Sequence, residues 1–197
     1  MQYTQELAFE KKMASEAGEI MRKFYRGNQK ITIKKDRSPV TVADQTINEL
    51  LIQNVQQEFP THGVLGEEAS WEPRRTHVWV CDPIDGTVAY ILHLPTSMFS
   101  LAFVIDGQPV VAVAFNPWTN ELYWAVKDGG AWRNEEKIYV SQKKWEAGVH
   151  LAGSSGGNKE PVDKKRKKLE SKHFFVSNVH GTVFKGCLIA EGSVEAR

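Results

Sequence analysis

Cysteine is scarce: among 197 residues only Cys81 and Cys187 occur, far apart and without metal-type spacing. That argues against a disulfide framework or a zinc site, and both thiols are expected reduced and buried in a cytoplasmic protein. Long apolar runs are also missing. No stretch approaches the ~20 residues that span a bilayer, and the polar start MQYTQELAFEKK lacks the order of a signal peptide. Nor does one charge dominate. With a formal net charge of +1 there is no global field to attract nucleic acid or a membrane surface, so any partner must be recognised locally. No internal repeat is present.

What remains is 41% hydrophobic and 25% charged, which suits one or two globular domains with a real core. Apolar groups at Leu7, Ala14, Ala17, Met21, Phe24 and Tyr25 predict a helix over 5–26, stopped at Gly27-Asn28. KITIKKDRSPVTVAD reads as short strand and loop. Ile47, Leu50, Leu51, Val55 and Phe59 predict a second helix that ends at Pro60. GVLGEE reads as strand into loop and THVWVC as a strand. From Met98 the apolar runs MFSLAFVI, PVVAVAF and ELYWAV are separated by Asp106-Gly107 and Asn116-Pro117 and followed by Asp128-Gly129-Gly130. This is the punctuation of antiparallel hairpins. VHLAG and KHFFVSN read as strands, and TVFKGCLIAEG as a helix. The polar stretch 153–172 contains five successive cations, Lys164 to Lys168. Without interleaved aromatics it reads as a solvated loop or exposed helix face rather than a nucleic-acid patch.

The informative stretch is WVCDPIDGT, residues 79–87. Pro83 lacks an N–H and cannot continue a strand ladder, and it holds Asp82 extended at the strand's carboxyl end. Asp85 returns a second carboxylate nearby. Gly86 lets the backbone approach a ligand, and Thr87 can open a helix. Two carboxylates, a carbonyl and a hydroxyl are all oxygen donors, which suits Mg²⁺ rather than zinc. A helix start beside them would seat a phosphate. The competing reading makes Asp82 and Asp85 turn and cap residues only. Upstream, Glu67 and Glu68 follow GVL, and Asp44 opens the second helix, where a capping box with Thr41 would also explain it. Cys81 reads as core rather than nucleophile, His93 and His180 as lone histidines, and the six Trp as core or subunit contacts.

Taken in order, KKDRSPVTVAD, then GEE, then WVCDPIDGT, the chain resembles the inositol monophosphatase family of Mg²⁺-dependent, lithium-sensitive phosphatases. The resemblance runs from the first helix to about Ser141, with a weaker echo in KGCLIAEG. It implies an α/β fold, a layered α-β-α-β-α sandwich. An N-terminal α+β domain over 1–141 would carry the motifs, and 142–197 would be a partial C-terminal domain. It also implies hydrolysis of a small phosphomonoester, whether an inositol phosphate, a sugar phosphate or phosphoadenosine phosphate, by a homodimer with no nucleic-acid or membrane partner. Carried over by motif, Glu67, Asp82 and the Ile84 carbonyl would hold one Mg²⁺. Asp82 and Asp85 would hold a second, and Glu67 would share a looser third. These acids are then expected to converge on one point. Asp85, Gly86 and Thr87 would meet the phosphate, and Thr87, linked to Asp44, would with Glu67 help activate the attacking water. The family's further Asp, from a W-D-x-A-A helix start, has no counterpart before Arg197, and HGTVF at 180–184 replaces a substrate-contacting stretch. The C-terminal part is therefore expected to be incomplete and the second Mg²⁺ site weakened. The alternative is a catalytically impaired family member acting as a regulatory or interaction subunit.

Overall fold

Eight residues of helix α1, Thr4–Tyr25, are buried, among them Leu7, Met13, Ala14, Ala17 and Met21 on one stripe. In this computed structural model, which describes residues 2–27, 29–144, 146, 148–153 and 160–195, that stripe lies on a sheet. Gly18 sets the distance, because a Cβ there would collide with the Phe115 ring. A small antiparallel pair, β1 (Thr32–Ile33) and β2 (Pro39–Val40), leads into α2, Val42–Glu58. Thr41 caps α2 through a reciprocal box with Asp44. Ala43, Ile47, Leu51 and Val55 recur every fourth residue and are fully buried.

The main sheet has seven strands in sequence order: β3 (Gly63–Gly66), β4 (His77–Asp85), β5 (Met98–Ile105), β6 (Gln108–Asn116), β7 (Glu121–Val126), β8 (Gly130–Arg133) and β9 (Glu136–Ile138). Only β3 and β4 pair parallel; the rest is the expected antiparallel meander, extended by the β8–β9 hairpin that the sequence pattern missed. Short α3, Thr87–Ile91, follows β4. Large side chains fill the face under α1 and α2, with Trp79, Leu101, Phe103 and Val113 buried together. Each such side chain contributes about 1.5–3 kcal/mol by leaving water. A separate parallel pair, β10 (His150–Gly153) and β11 (Phe175–Asn178), is joined through α4, Glu160–Glu170, and has its own small cluster of Val149, Leu151 and Phe174. The basic run lies on α4, where Lys164, Lys167 and Lys168 are exposed; part of the expected connector, 154–159, lies outside the described residues. Helix α5, Thr182–Ala190, then returns to the main sheet. Among the described residues no helix is long and apolar enough to cross a membrane.

One core residue breaks the pattern. Glu10 on α1 is fully buried, and neither carboxyl oxygen has a hydrogen-bond partner. Burial pushes its proton affinity well up, and the nearby Phe103 backbone offsets only part of this. The unfolded chain ionises Glu at about pH 4.3. Stability from the protonated acid is therefore complete below that pH and is lost as pH rises towards the folded-state value. Glu10→Leu should stabilise the protein at pH 7 by about 1–3 kcal/mol. Urea unfolding between pH 4 and 8 should show a gain that grows with pH; a pH-independent difference would mean that the acid is not held neutral.

Candidate active site

Strand β4 does not stop at Asp82 as expected; it runs on through Pro83 to Asp85, and Pro83 only interrupts the ladder. The strand's register with β5 shifts between Asp82, opposite Ser100, and Asp85, opposite Met98. The Asp82 side chain folds back to accept the Ile84 N–H at 3.1 Å. Parallel pairing of β3 with β4 sets Gly66 beside Cys81, and the Glu67 N–H bonds to the Cys81 carbonyl at 3.1 Å. Glu67 thus emerges next to Asp82. Only glycine fits at 66, since a Cβ would strike the Asn48 side chain and the Ala69 carbonyl. Asn48 in turn holds that loop by donating to Ala69 at 3.0 Å.

Burial, the neighbouring Glu67 charge and then Asp85 push the Asp82 carboxyl up to about 8. Asp44 lies in the same electrostatic group and is pushed up to about 6, mainly by burial. Its Oδ2 accepts from the Thr41 N–H at 2.8 Å and the Thr41 hydroxyl at 2.6 Å, while its Oδ1 is buried without a partner. The structure therefore brings Glu67, Asp82 and Asp44 together. Asp85 also stands near enough to act on Asp82, but its oxygens are engaged: Oδ1 accepts the Thr182 N–H at 3.1 Å and Oδ2 the Val183 N–H at 2.9 Å, at the start of α5. Among the described residues no three acids, histidines or cysteines form a ready metal cage. Like charges repel, and each outer acid takes the nearest positive partner. For Glu67 that partner is Lys34, whose Nζ lies 2.9 Å from Glu67 and 2.5 Å from Glu68. Although burial works against it, the two glutamates hold Lys34 above its ordinary range.

The link from Thr87 to Asp44 is not formed. The Thr87 hydroxyl instead donates to the Ile84 carbonyl at 3.2 Å, so two expected donors satisfy each other. Gly86 opens α3 at φ 81°, and a Cβ on it would lie 3.4 Å from the Gly181 Cα. Two facing glycines thus let α3 and α5 start side by side. Neither Lys34 nor the Asp85 clamp on α5 was foreseen from sequence. Lys34 stood within the KKDRSPVTVAD pattern, whereas nothing local signals a bond spanning 97 residues.

The sequence profile of the inositol monophosphatase family matches residues 2–197. The chain belongs to that family. The rat inositol monophosphatase 1 is 26% identical over 196 residues, covering 93% of this chain and 71% of the rat protein. A Xylella fastidiosa protein named Nus factor SuhB is 37% identical over 101 residues, 51% of this chain and 37% of its own. The structure of a Thermotoga maritima IMPase superposes with a TM-score of 0.81 at 25% identity, covering 97% of this chain and 74% of that one. Across the first curated relatives, this chain spans from 33% to 71% of their length.

If the Asp85 clamp anchors α5, Asp85→Ala should lower stability by about 1–2 kcal/mol, a helix-cap loss, and Asp85→Asn by less because one acceptor remains. Thermal unfolding checks this. An Asp85→Ala protein as stable as the parent would show that the amides do not depend on the carboxylate.

Proposed function

We propose that this chain carries the metal-binding half of a Mg²⁺-dependent phosphomonoester hydrolase acting on an inositol phosphate-like, sugar or nucleotide phosphate. The observation that carries the reading is the Asp82 carboxyl. It is held beside Glu67 and Asp44 where its charge is repelled, with only one N–H partner, so a divalent cation fits the all-oxygen donor set. Lys34 already offers one positive charge to the glutamates at its rim.

Asp82, Glu67 and the Ile84 carbonyl would hold the first ion, and Asp82 with Asp85 the second. When bound, Mg²⁺ supplies a more acidic water and stabilises the departing ester oxygen. The chain's own groups do the positioning. Releasing the Ile84 carbonyl frees the Thr87 hydroxyl, and the unpartnered Asp44 Oδ1 is the acceptor to which it can turn. Thr87 so oriented, with Glu67, would direct and deprotonate the attacking water. The Gly86 and Thr87 main chain and Asp85 would face the phosphate. Residues 142–197 are read as the start of a second domain, and the homodimer and lithium sensitivity implied by the resemblance belong to this same reading.

A regulatory or interaction subunit is the second reading. It is favoured by the two acids already neutralised, Glu67 by Lys34 and Asp85 by the α5 amides, and by the Nus factor name of one relative. Phosphate release from inositol phosphate, fructose bisphosphate and phosphoadenosine phosphate, with and without Mg²⁺, separates the two.

Calorimetric Mg²⁺ titration should show one tighter site and at least one much weaker one, because affinity follows ligand charge and preformed geometry. Activity should rise only where the weaker site fills. Asp82→Asn should abolish both binding steps, and turnover by at least ~100-fold, or about 2.7 kcal/mol. Full activity at low Mg²⁺, or activity that survives Asp82→Asn, would assign the chemistry elsewhere.

A further inference from the structure

Helix α1 lies over β5 and β6 and leaves the same sheet face uncovered towards β9. One row of side chains crosses that face from core to edge: Leu101, Val113, Trp124, Trp132 and Lys137 stand opposite one another from β5 to β9. Leu101 and Val113 are buried, the two tryptophans are half-buried, and Lys137 is exposed. The indole rings of Trp124 and Trp132 are stacked, 4.2 Å apart and 7° from parallel. Trp124 Nε1 donates to the Asn134 carbonyl at 2.9 Å, which fixes the pair. Lys11, on the flank of α1, sets its Nζ 3.8 Å from the centre of the Trp124 ring.

The outer side of the stack has a looser cover. Lys137 Nζ lies 5.5 Å from the Trp132 ring centre and 5.9 Å from that of Tyr139, a ring 67% exposed. A Cβ on Gly130 would come within 2.9 Å of Lys137 Cε, so the lysine stem crosses a floor without side chains. A flexible cation thus occupies the place beside two aromatic rings where a flat ring could stack. Such a ring would gain the faces of Trp132 and Tyr139, and the displaced ammonium would meet negative charge carried beside it.

The surrounding charge suits an anionic chain. Among the described residues Lys11, Lys127 and Lys137 form no ion pair, and Lys127 and Lys144 are exposed on either flank. Lys143 is shared with Glu195 at 3.9 Å. The opposing acids are Glu135, which acts on Lys11, and Asp128 in the turn before β8; Glu136 is drawn to Arg133, at 3.6 Å. Aromatics and cations therefore interleave here, as they do not in the basic run of α4. Duplex is a poorer fit, because its bases are already stacked on each other. Edge pairing with a second copy is disfavoured by the three-residue length and two charged side chains of β9.

We propose that the Trp132–Tyr139 surface, flanked by Lys11, Lys127, Lys137 and Lys144, binds single-stranded nucleic acid by base stacking and phosphate contact. This departs from the absence of a nucleic-acid partner that the family resemblance implies. It does not rest on the phosphatase reading, because its readout is oligonucleotide binding.

The test titrates the full chain into labelled oligo-U and oligo-dT of about 15 nucleotides, and into a duplex of equal length, following anisotropy and tryptophan emission. Single strands should bind with quenching, and the duplex more weakly. With about three phosphates contacted, affinity should fall roughly 20-fold from about 50 to about 200 mM salt. Tyr139→Ala, at an exposed ring, should keep the melting temperature and weaken binding by about tenfold. Lys137→Ala should weaken it and flatten the salt dependence by about one contact. Lys167→Ala with Lys168→Ala, on α4, should change neither. No binding at low salt, equal affinity for duplex, or parent-like binding by Tyr139→Ala overturns the proposal. So does binding lost only in the α4 variant. Capture of phosphatidylserine vesicles without oligonucleotide binding would make the surface a membrane contact, and self-association abolished by Tyr139→Ala would place a second copy there; either result also overturns it.

Discussion

The Asp85 carboxylate ties the end of β4 to the first amides of α5, almost a hundred residues later, and the site is arranged around that bond. It follows Pro83, whose missing N–H interrupts the ladder between Asp82 and Asp85 and shifts its register. It needs Gly86 and Gly181 facing each other, because a Cβ on Gly181 would meet the Thr96 carbonyl at 2.7 Å and the Asp85 side chain at 3.0 Å. With α5 fixed there, its apolar stripe faces the sheet and Glu191 reaches Tyr123 and Arg133. Two backbone N–H donors on one carboxylate also make an acid tolerable in a buried place.

The same logic sorts the remaining acids. Burying carboxylates is costly unless each finds a donor or a cation. Glu67 and Glu68 share Lys34, Asp44 has both donors of Thr41 on one oxygen, and Asp85 has α5. Asp82 has a single N–H and three acidic neighbours. Compensation elsewhere concentrates the uncompensated charge at one atom group, at the end of a rigid central strand rather than on a loose loop.

Sequence patterns gave a faithful view wherever the signal was local. Period-four apolar residues in α2, the Thr41–Asp44 box, and the Asp-Gly turns of the meander are each decided within a few residues, and the structure shows them. The β8–β9 hairpin was missed because its strands are four and three residues long and carry Trp132 and Arg133 without clean alternation. The parallel pairing of β3 with β4 and the Asp85–α5 clamp depend on chain segments far apart in sequence, so no window could contain them. For the site, the motif named the acids to compare; how they share donors is a property of packing. Glu67 and Asp85 both act on the Asp82 carboxyl as the motif led one to expect, but the cation of Lys34 and the amides of α5 that they also engage lie outside any local window.

This division bears on the choice between catalyst and subunit. A protein that serves only as a docking partner gains nothing from a half-buried carboxylate kept next to two others. Replacing such a group with an apolar one is often neutral or stabilising. Lys34 and the α5 amides satisfy acids at the edges and leave the centre short of positive charge, which on the reading proposed above is the electrostatic form of an open cation site rather than of a finished ion-pair network. Ile84 and Thr87 fit the same view: their carbonyl and hydroxyl, both suited to external ligands, are capped by each other at 3.2 Å, a neutral bond that a cation can displace at the cost of about 1 kcal/mol. Asp44 already presents a free oxygen in that group. On the phosphatase reading proposed above, the arrangement is coherent as chemistry and wasteful as scaffold.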